Sequence, residues 1–268
     1  MRVMAISMIF VSCITFSAVA FEKSDMKELL EKGTCIDCDL RRSKMHSLSI
    51  PNANLTESRL RDSVLKHINL KNALLIETDL RRSDLEKANL SGADLTGATL
   101  RETDLEKSNL TNTIFNDADL RDADLENAMA EGSSFMSADL RKANMKRGDF
   151  SKSNFSEANM TDSNFKRAIL SDAIFKNSRM NNIRLTRATM TGSNFEGANL
   201  TMAVFYRTDL TNSVFTDANM KGTVLFGSNL SGADLSDAEN LEQSQLKHAC
   251  GDKTTRLPED LSIAMCSN

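Results

Sequence analysis

From Leu40 to Leu235 every fifth residue is large and apolar, with Ala130 the one exception: those forty positions hold twenty-three Leu, nine Phe, six Met, one Ile and that Ala. Two residues before each stands a small side chain, as at Ala88, Ala93, Ala98, Ser108, Ala118 and Ser153, with larger ones only at Leu48, Ile68 and Ile183. A period of five fits neither an α-helix nor a flat strand, which need 3.6 and 2.0. Side chains two residues apart share one face of an extended chain. Each unit therefore predicts a three-residue strand, with its small and large side chains facing inward, followed by a two-residue corner. Eight of the eleven glycines, Gly92 and Gly132 among them, fall two residues after the large apolar one. A corner position that accepts positive φ favours glycine there.

A second period gives the number of corners. Arg41, Arg61, Arg81, Arg101, Arg121 and Arg141 recur every twenty residues, with Asp39, Asp79, Asp119 and Asp139 two residues earlier. Twenty is four pentapeptides, so the predicted cross-section is four-sided, where a triangular coil would repeat at fifteen. Forty units make ten coils. At roughly 4.8 Å per stacked parallel strand the body is a rod about 48 Å long, with right-handed winding the expected sense. The fold class expected is all-β, a quadrilateral parallel β-helix with short helical caps at both ends.

The runs Ala88-Asn89-Leu90, Ala93-Asp94-Leu95, Ala118-Asp119-Leu120, Ala138-Asp139-Leu140 and Ala233-Asp234-Leu235 resemble the A(D/N)LXX signature of pentapeptide repeat proteins. The resemblance covers about three quarters of the chain and implies a right-handed quadrilateral β-helix. Members of that family with known roles include topoisomerase-binding DNA mimics, and their active features lie on surfaces and loops rather than in the repeat.

The ends predict four regions. Residues 1–20 read as a secretory signal: Arg2, an apolar run from Val3 to Phe16, then Ala18-Val19-Ala20 before the cleavage point. Residues 21–38 form an N-terminal helical cap, with Ser24 as N-cap, an apolar stripe of Met26, Leu29 and Leu30, and Gly33 as the stop. Residues 39–238 are the β-helix. Residues 239–268 are a C-terminal cap: a helix over Glu239–Ala249 carrying Leu241 and Leu246, then a tail whose Leu257, Leu261, Ile263 and Met265 fold back over the last coil. The expected location is periplasmic or extracellular, with no membrane span after signal cleavage.

Beyond Cys13 in the signal, the chain has Cys35, Cys38, Cys250 and Cys266. An even number in an exported protein predicts disulfides. The ends of a ten-coil rod are too far apart to bridge, which leaves Cys35–Cys38 and Cys250–Cys266. Cys35 and Cys38 with His46 and His67 match no standard zinc spacing, so no metal or other cofactor is expected. No nucleophile elbow, phosphate loop or H-E-x-x-H occurs, and a packed rod offers no deep cleft, so the chain reads as a non-enzyme.

Charge then distinguishes the walls. In the outward positions, the wall of Leu40 has 12 basic and 8 acidic side chains and the next, that of Met45, has 11 and 6. The wall of Ile50 has 2 and 4, and that of Leu55 has 1 and 9. On the second wall Lys146, Arg147, Lys166, Arg167, Arg184, Arg187 and Arg207 occupy four coils with no acid in the same positions. They form a candidate anion-binding patch. Val204, Tyr206, Val224 and Phe226 follow on the same wall as a candidate interface or a seat for the C-terminal cap. The partner expected is an unidentified protein or an anionic envelope polymer, with no nucleic acid; monomer and dimer stay open. If the chain is instead retained in the cytoplasm, the acidic fourth wall and the family resemblance point to a DNA mimic that binds a topoisomerase.

Overall fold

The computed structural model describes residues 23–267, so the expected signal at 1–20 lies outside the described residues. From Thr34 onward the chain climbs a four-sided coil in which each residue before the large apolar one pairs in parallel with the residue twenty further on: Thr34 with Asn54, Asp39 with Arg59, and so up to Asn219 with Glu239. One circuit is thus twenty residues. Both inward positions are buried in nearly every unit, and Leu55, Leu120, Phe155 and Leu235 are fully buried. Ile68 and Ile183 fit inside, whereas Leu48 and Ile50 in the first coil are only partly covered.

The corners explain the choice of residues. All forty positions from Asp37 to Gly232 that lie two residues after the inward side chain have φ between 52° and 71°. With the turn bond from Ser83 N–H to Leu80 C=O, 3.0 Å, each corner is a type II turn, which requires positive φ at its third residue. Glycine takes eight of these positions and other residues the remaining thirty-two, so the left-handed conformation is imposed by the coil. Every backbone N–H of one unit is satisfied. Leu80 N–H donates to Thr99 C=O at 2.8 Å, Arg82 N–H to Arg101 C=O at 2.9 Å and Asp84 N–H to Ser63 C=O at 2.9 Å. Arg81 N–H, which meets no carbonyl, donates to the Asp79 carboxylate at 3.2 Å. That last bond is the physical reason for Asp or Asn before the large residue: its side chain accepts the N–H two positions on.

Serine and threonine in the buried small position are also satisfied. Thr103 donates to Leu80 C=O at 2.8 Å, Ser133 to Leu110 C=O at 2.6 Å and Ser153 to Ala130 C=O at 2.7 Å, each reaching the coil below. A buried hydroxyl so bonded is tolerated where an unbonded one would be costly. Gly148 occupies a small position for a different reason: a Cβ there would meet the Phe150 ring, with Cζ 2.9 Å away. Phe150 turns edge-on to Phe135, Phe155 and Phe165 at 5.7–6.2 Å between centroids.

Helix α1, Lys23–Lys32, lies at the lower end, buries Leu29 and stops where Gly33, φ 68°, donates its N–H to Leu29 C=O. The Asp25 carboxylate accepts the Asp39 N–H at 2.8 Å, which fixes the helix to the first coil. Two expectations need correction. Ser24 is inside the helix rather than its cap, and Leu30, which borders an open groove with Arg42, Met45 and Leu48 of the first coil, is 52% exposed. At the upper end the helix expected over Glu239–Ala249 shrinks to α2, Gln243–Leu246. Glu242 and Gln245 box its start, and the chain then turns so that Cys250 can pair beside Asn229 and Arg256 beside Asp234. The tail thereby adds a partial eleventh circuit, closed by β1, Cys250–Gly251, pairing with β2, Ala264–Met265. Leu257, Leu261 and Ile263 pack on the core, whereas Met265 is 59% exposed rather than folded inward. The sulfurs of Cys35 and Cys38 are 1.97 Å apart and those of Cys250 and Cys266 2.01 Å, both bonded. No helix among the described residues is long and apolar enough to cross a bilayer.

Candidate functional site: one basic wall

The coil period stacks the seven cations of the second wall over four successive circuits, but they are not equivalent. Lys146 lies 3.5 Å from Glu126 and Arg147 also pairs with it, one coil below. Hydrogen bonding from Asn144, with both cations beside it, holds the Glu126 carboxyl below its usual range. An acid twenty residues away is in the same column, so the twenty-residue repeat already contained this pairing, and comparison within the four coils alone missed it. Lys166, Arg167, Arg184, Arg187 and Arg207 have no carboxylate partner among the described residues. Lys146, Arg147, Lys166, Arg167, Arg187 and Tyr206 line an open trough of about 390 Å³.

Above the trough Tyr206 and Phe226 stack at 5.4 Å, His248 covers the far side of Phe226 at 4.8 Å, and the Arg207 guanidinium sits 5.3 Å from the Tyr206 ring. The ring faces are therefore used within the protein, leaving edges rather than stacking platforms. The expected cap contact is only partial: His248 reaches Phe226, but Val224 and Phe226 remain 41% and 43% exposed. Val204 and Tyr206 are half-buried.

The first wall is different in kind. Arg41, Arg81 and Arg121 each clasp the aspartate two residues earlier, at 2.5–2.7 Å. Arg61 has Arg59 in that place, and its buried Nε makes no hydrogen bond but lies 3.5 Å from the Asp62 carboxylate. Exposed pairs of this sort contribute little to stability. His46 and His67 sit edge to face at 5.4 Å, and Cys35 and Cys38, bonded to each other, offer no thiolate beside them.

Lower on the second wall the charge reverses, and one carboxylate opposes folding. Burial, with Asp84 directly below it and Asp124 directly above, raises the Asp104 pKa from its ordinary value of 3.8. A group that holds its proton more tightly when folded favours the fold below its unfolded value, and that contribution is lost as pH rises through its folded value. Asp104→Asn should therefore raise the urea midpoint near neutral pH, with the gain vanishing below about pH 3.8. Asn144 and Asn164 already occupy that column. An advantage that persisted unchanged in acid would show that charge repulsion is not the cause.

The chain matches the family model for pentapeptide repeats in eight copies, over residues 53–92, 63–101, 88–127, 133–177, 168–205 and 203–239. No curated protein sequence matches it. Among solved structures it is similar to HetL, a pentapeptide repeat protein involved in heterocyst differentiation regulation in the cyanobacterium Nostoc sp. strain PCC 7120. That match has 23% identity over 78% of this chain and 94% of that one, with a TM-score of 0.55. It is also similar to QnrB1, a plasmid-mediated fluoroquinolone resistance protein, at 19% identity over 73% of this chain and 90% of that one, TM-score 0.50. At these identities the likeness establishes the fold alone. With the matched segments spanning most of the coils, the chain belongs to the pentapeptide repeat family.

Proposed function

We propose that this protein is an exported, non-enzymatic interaction scaffold whose second wall holds a linear anionic polymer of the cell envelope. The observation that carries the reading is the set of five cations, Lys166, Arg167, Arg184, Arg187 and Arg207, left without a carboxylate partner among the described residues while the arginines of the neighbouring wall are largely neutralised. Charges that only kept the rod soluble would not need to be gathered on one wall, and a column rising about 4.8 Å per coil presents a line of cations to a line of anions. The two disulfides fit an oxidising compartment.

The test is binding of the full chain to purified envelope polymer at low and at high salt, alongside a variant with Lys146, Arg147, Lys166 and Arg167 reversed to glutamate. Each cation facing an anionic surface contributes roughly 1 kcal/mol. Affinity should fall by more than about tenfold on reversal and drop steeply with salt. Binding insensitive to both would overturn the reading.

The acidic wall supports a second reading, a DNA mimic that engages a topoisomerase, which requires residence in the cytoplasm. Alkaline phosphatase fused after the first thirty residues separates the two, because that enzyme needs disulfides that form only outside the cytoplasm: an active fusion supports the envelope scaffold, and an inactive one supports the mimic.

A further inference from the structure

Four corners per twenty-residue circuit place residues ten apart at opposite corners of the rod. The corner column that contains Arg167, Arg187 and Arg207 is basic, and none of these three has a carboxylate partner among the described residues. The column diagonally across contains Glu57, Glu77 and Asp117, which likewise make no ion pair among the described residues. All six side chains are exposed and stand on corner residues with φ of 54–61°, so they project at the edges, where a neighbour reaches them first. Apolar side chains accompany both columns: Leu74 and Ile114, 41% and 37% exposed, beside the acids, and Val224 and Phe226 near the cations. Both columns repeat at the same coil spacing, so an alignment that sets Glu57 against one cation sets Glu77 against the next, while Asp117 lies two coils beyond Glu77 across Gly97.

We propose that the partner of these two corners is a second copy of this chain, docked side by side with its acidic corner against the basic corner of the first. The occupant follows from charge complementarity along two ladders of identical pitch. Because the complementary columns are at opposite corners, a two-fold dimer cannot engage both. Each copy that joins leaves one basic and one acidic corner free, so the contact is heterologous and the assembly open-ended. The cations are concentrated in the later coils and the acids named here in the earlier ones, so in the parallel arrangement neighbours are staggered along the rod. This inference stands apart from the polymer reading: self-association can fail while polymer binding holds, and the reverse.

The test is sedimentation of the full chain at low ionic strength over a range of concentrations. The mass is expected to climb beyond a dimer with concentration and to return to that of one chain in high salt, where exposed charges are screened. Arg167→Glu with Arg187→Glu and Arg207→Glu should remain monomeric at low salt, as should Glu57→Lys with Glu77→Lys and Asp117→Lys. Mixed in equal amounts, the two triple variants should associate again, since acids then face cations at every contact. Both are expected to fold, because the corner position already carries Glu at Glu102 and Glu157 and Lys at Lys142 and Lys152, and circular dichroism checks this. A wild-type chain that stays monomeric at low salt, stops at a dimer, or associates equally well with either column reversed would overturn the proposal. A mixture that fails to recover would do the same.

Discussion

Phe155→Ala is expected to destabilise the protein by about 3–5 kcal/mol, the range for removing a fully buried phenylalanine. The ring stacks on Phe135 at 4.8 Å and on Phe175 at 5.3 Å, with planes tilted only 4° in each case. It is the middle of a column that runs from Phe115 to Phe215 inside one wall. The hydrogen-bonded ladders above and below hold those neighbours at the coil spacing, so the gap cannot collapse. A melting point lower by roughly 6–20 °C follows from about 2–4 °C per kcal/mol for a chain of this size. Phe155→Leu should recover most of the loss, because Leu75 and Leu95 fill the same column in the earlier coils, fully buried. Urea unfolding followed by circular dichroism measures both. A loss below about 1 kcal/mol would mean that the column is not packed as described.

Removing the Cys250–Cys266 bond by Cys250→Ser with Cys266→Ser is the second large effect. The bond closes a separation of 16 residues, for which restriction of the unfolded chain contributes about 3 kcal/mol. Without it, β2 retains only a two-residue pairing, with Cys266 N–H donating to Gly251 C=O at 2.8 Å. The Cys35–Cys38 bond spans a separation of 3 and constrains far less chain, so its loss should be felt less. The difference should appear as local opening. Amide exchange across 250–266 should speed up strongly in the double variant, while the central coils keep their protection, because each coil of a solenoid depends mainly on its neighbours. Equal exchange changes at both ends of the rod would contradict this.

The repeat was legible because a single residue type at a fixed interval is what a coil of constant cross-section demands. Leucine at every fifth position gave the side length, and arginine at every twentieth gave the circuit. Glycine at Gly92 and Gly132 marked the positive-φ corner even though most corners carry other residues. The ends were less legible because they lack a repeat. Glu239–Ala249 has helical composition throughout, but Cys250 must reach Asn229, and the pairing of that strand ends the helix at Leu246. Likewise Leu30 fits an apolar stripe by spacing, yet Leu29 is fully buried and Met26 packs on the core while Leu30 stays half exposed at the rim. On the basic wall, sequence located all seven cations. It did not show that Glu126 takes two of them, because that requires reading down a column rather than along a coil.

Both readings of the surface depend on Arg167 standing directly above Arg147, one circuit of twenty residues apart. Cysteine pairs test this: Arg147→Cys with Arg167→Cys places two Cα atoms about 4.8 Å apart, within reach of a disulfide. Arg147→Cys with Asp162→Cys, fifteen residues apart, places them at different corners. Mild oxidation of the purified chain should cross-link the first pair and leave the second reduced, scored by intact mass after native disulfides are accounted for. Cross-linking of the fifteen-residue pair in place of the twenty-residue one would contradict the four-sided coil and the charged columns built on it.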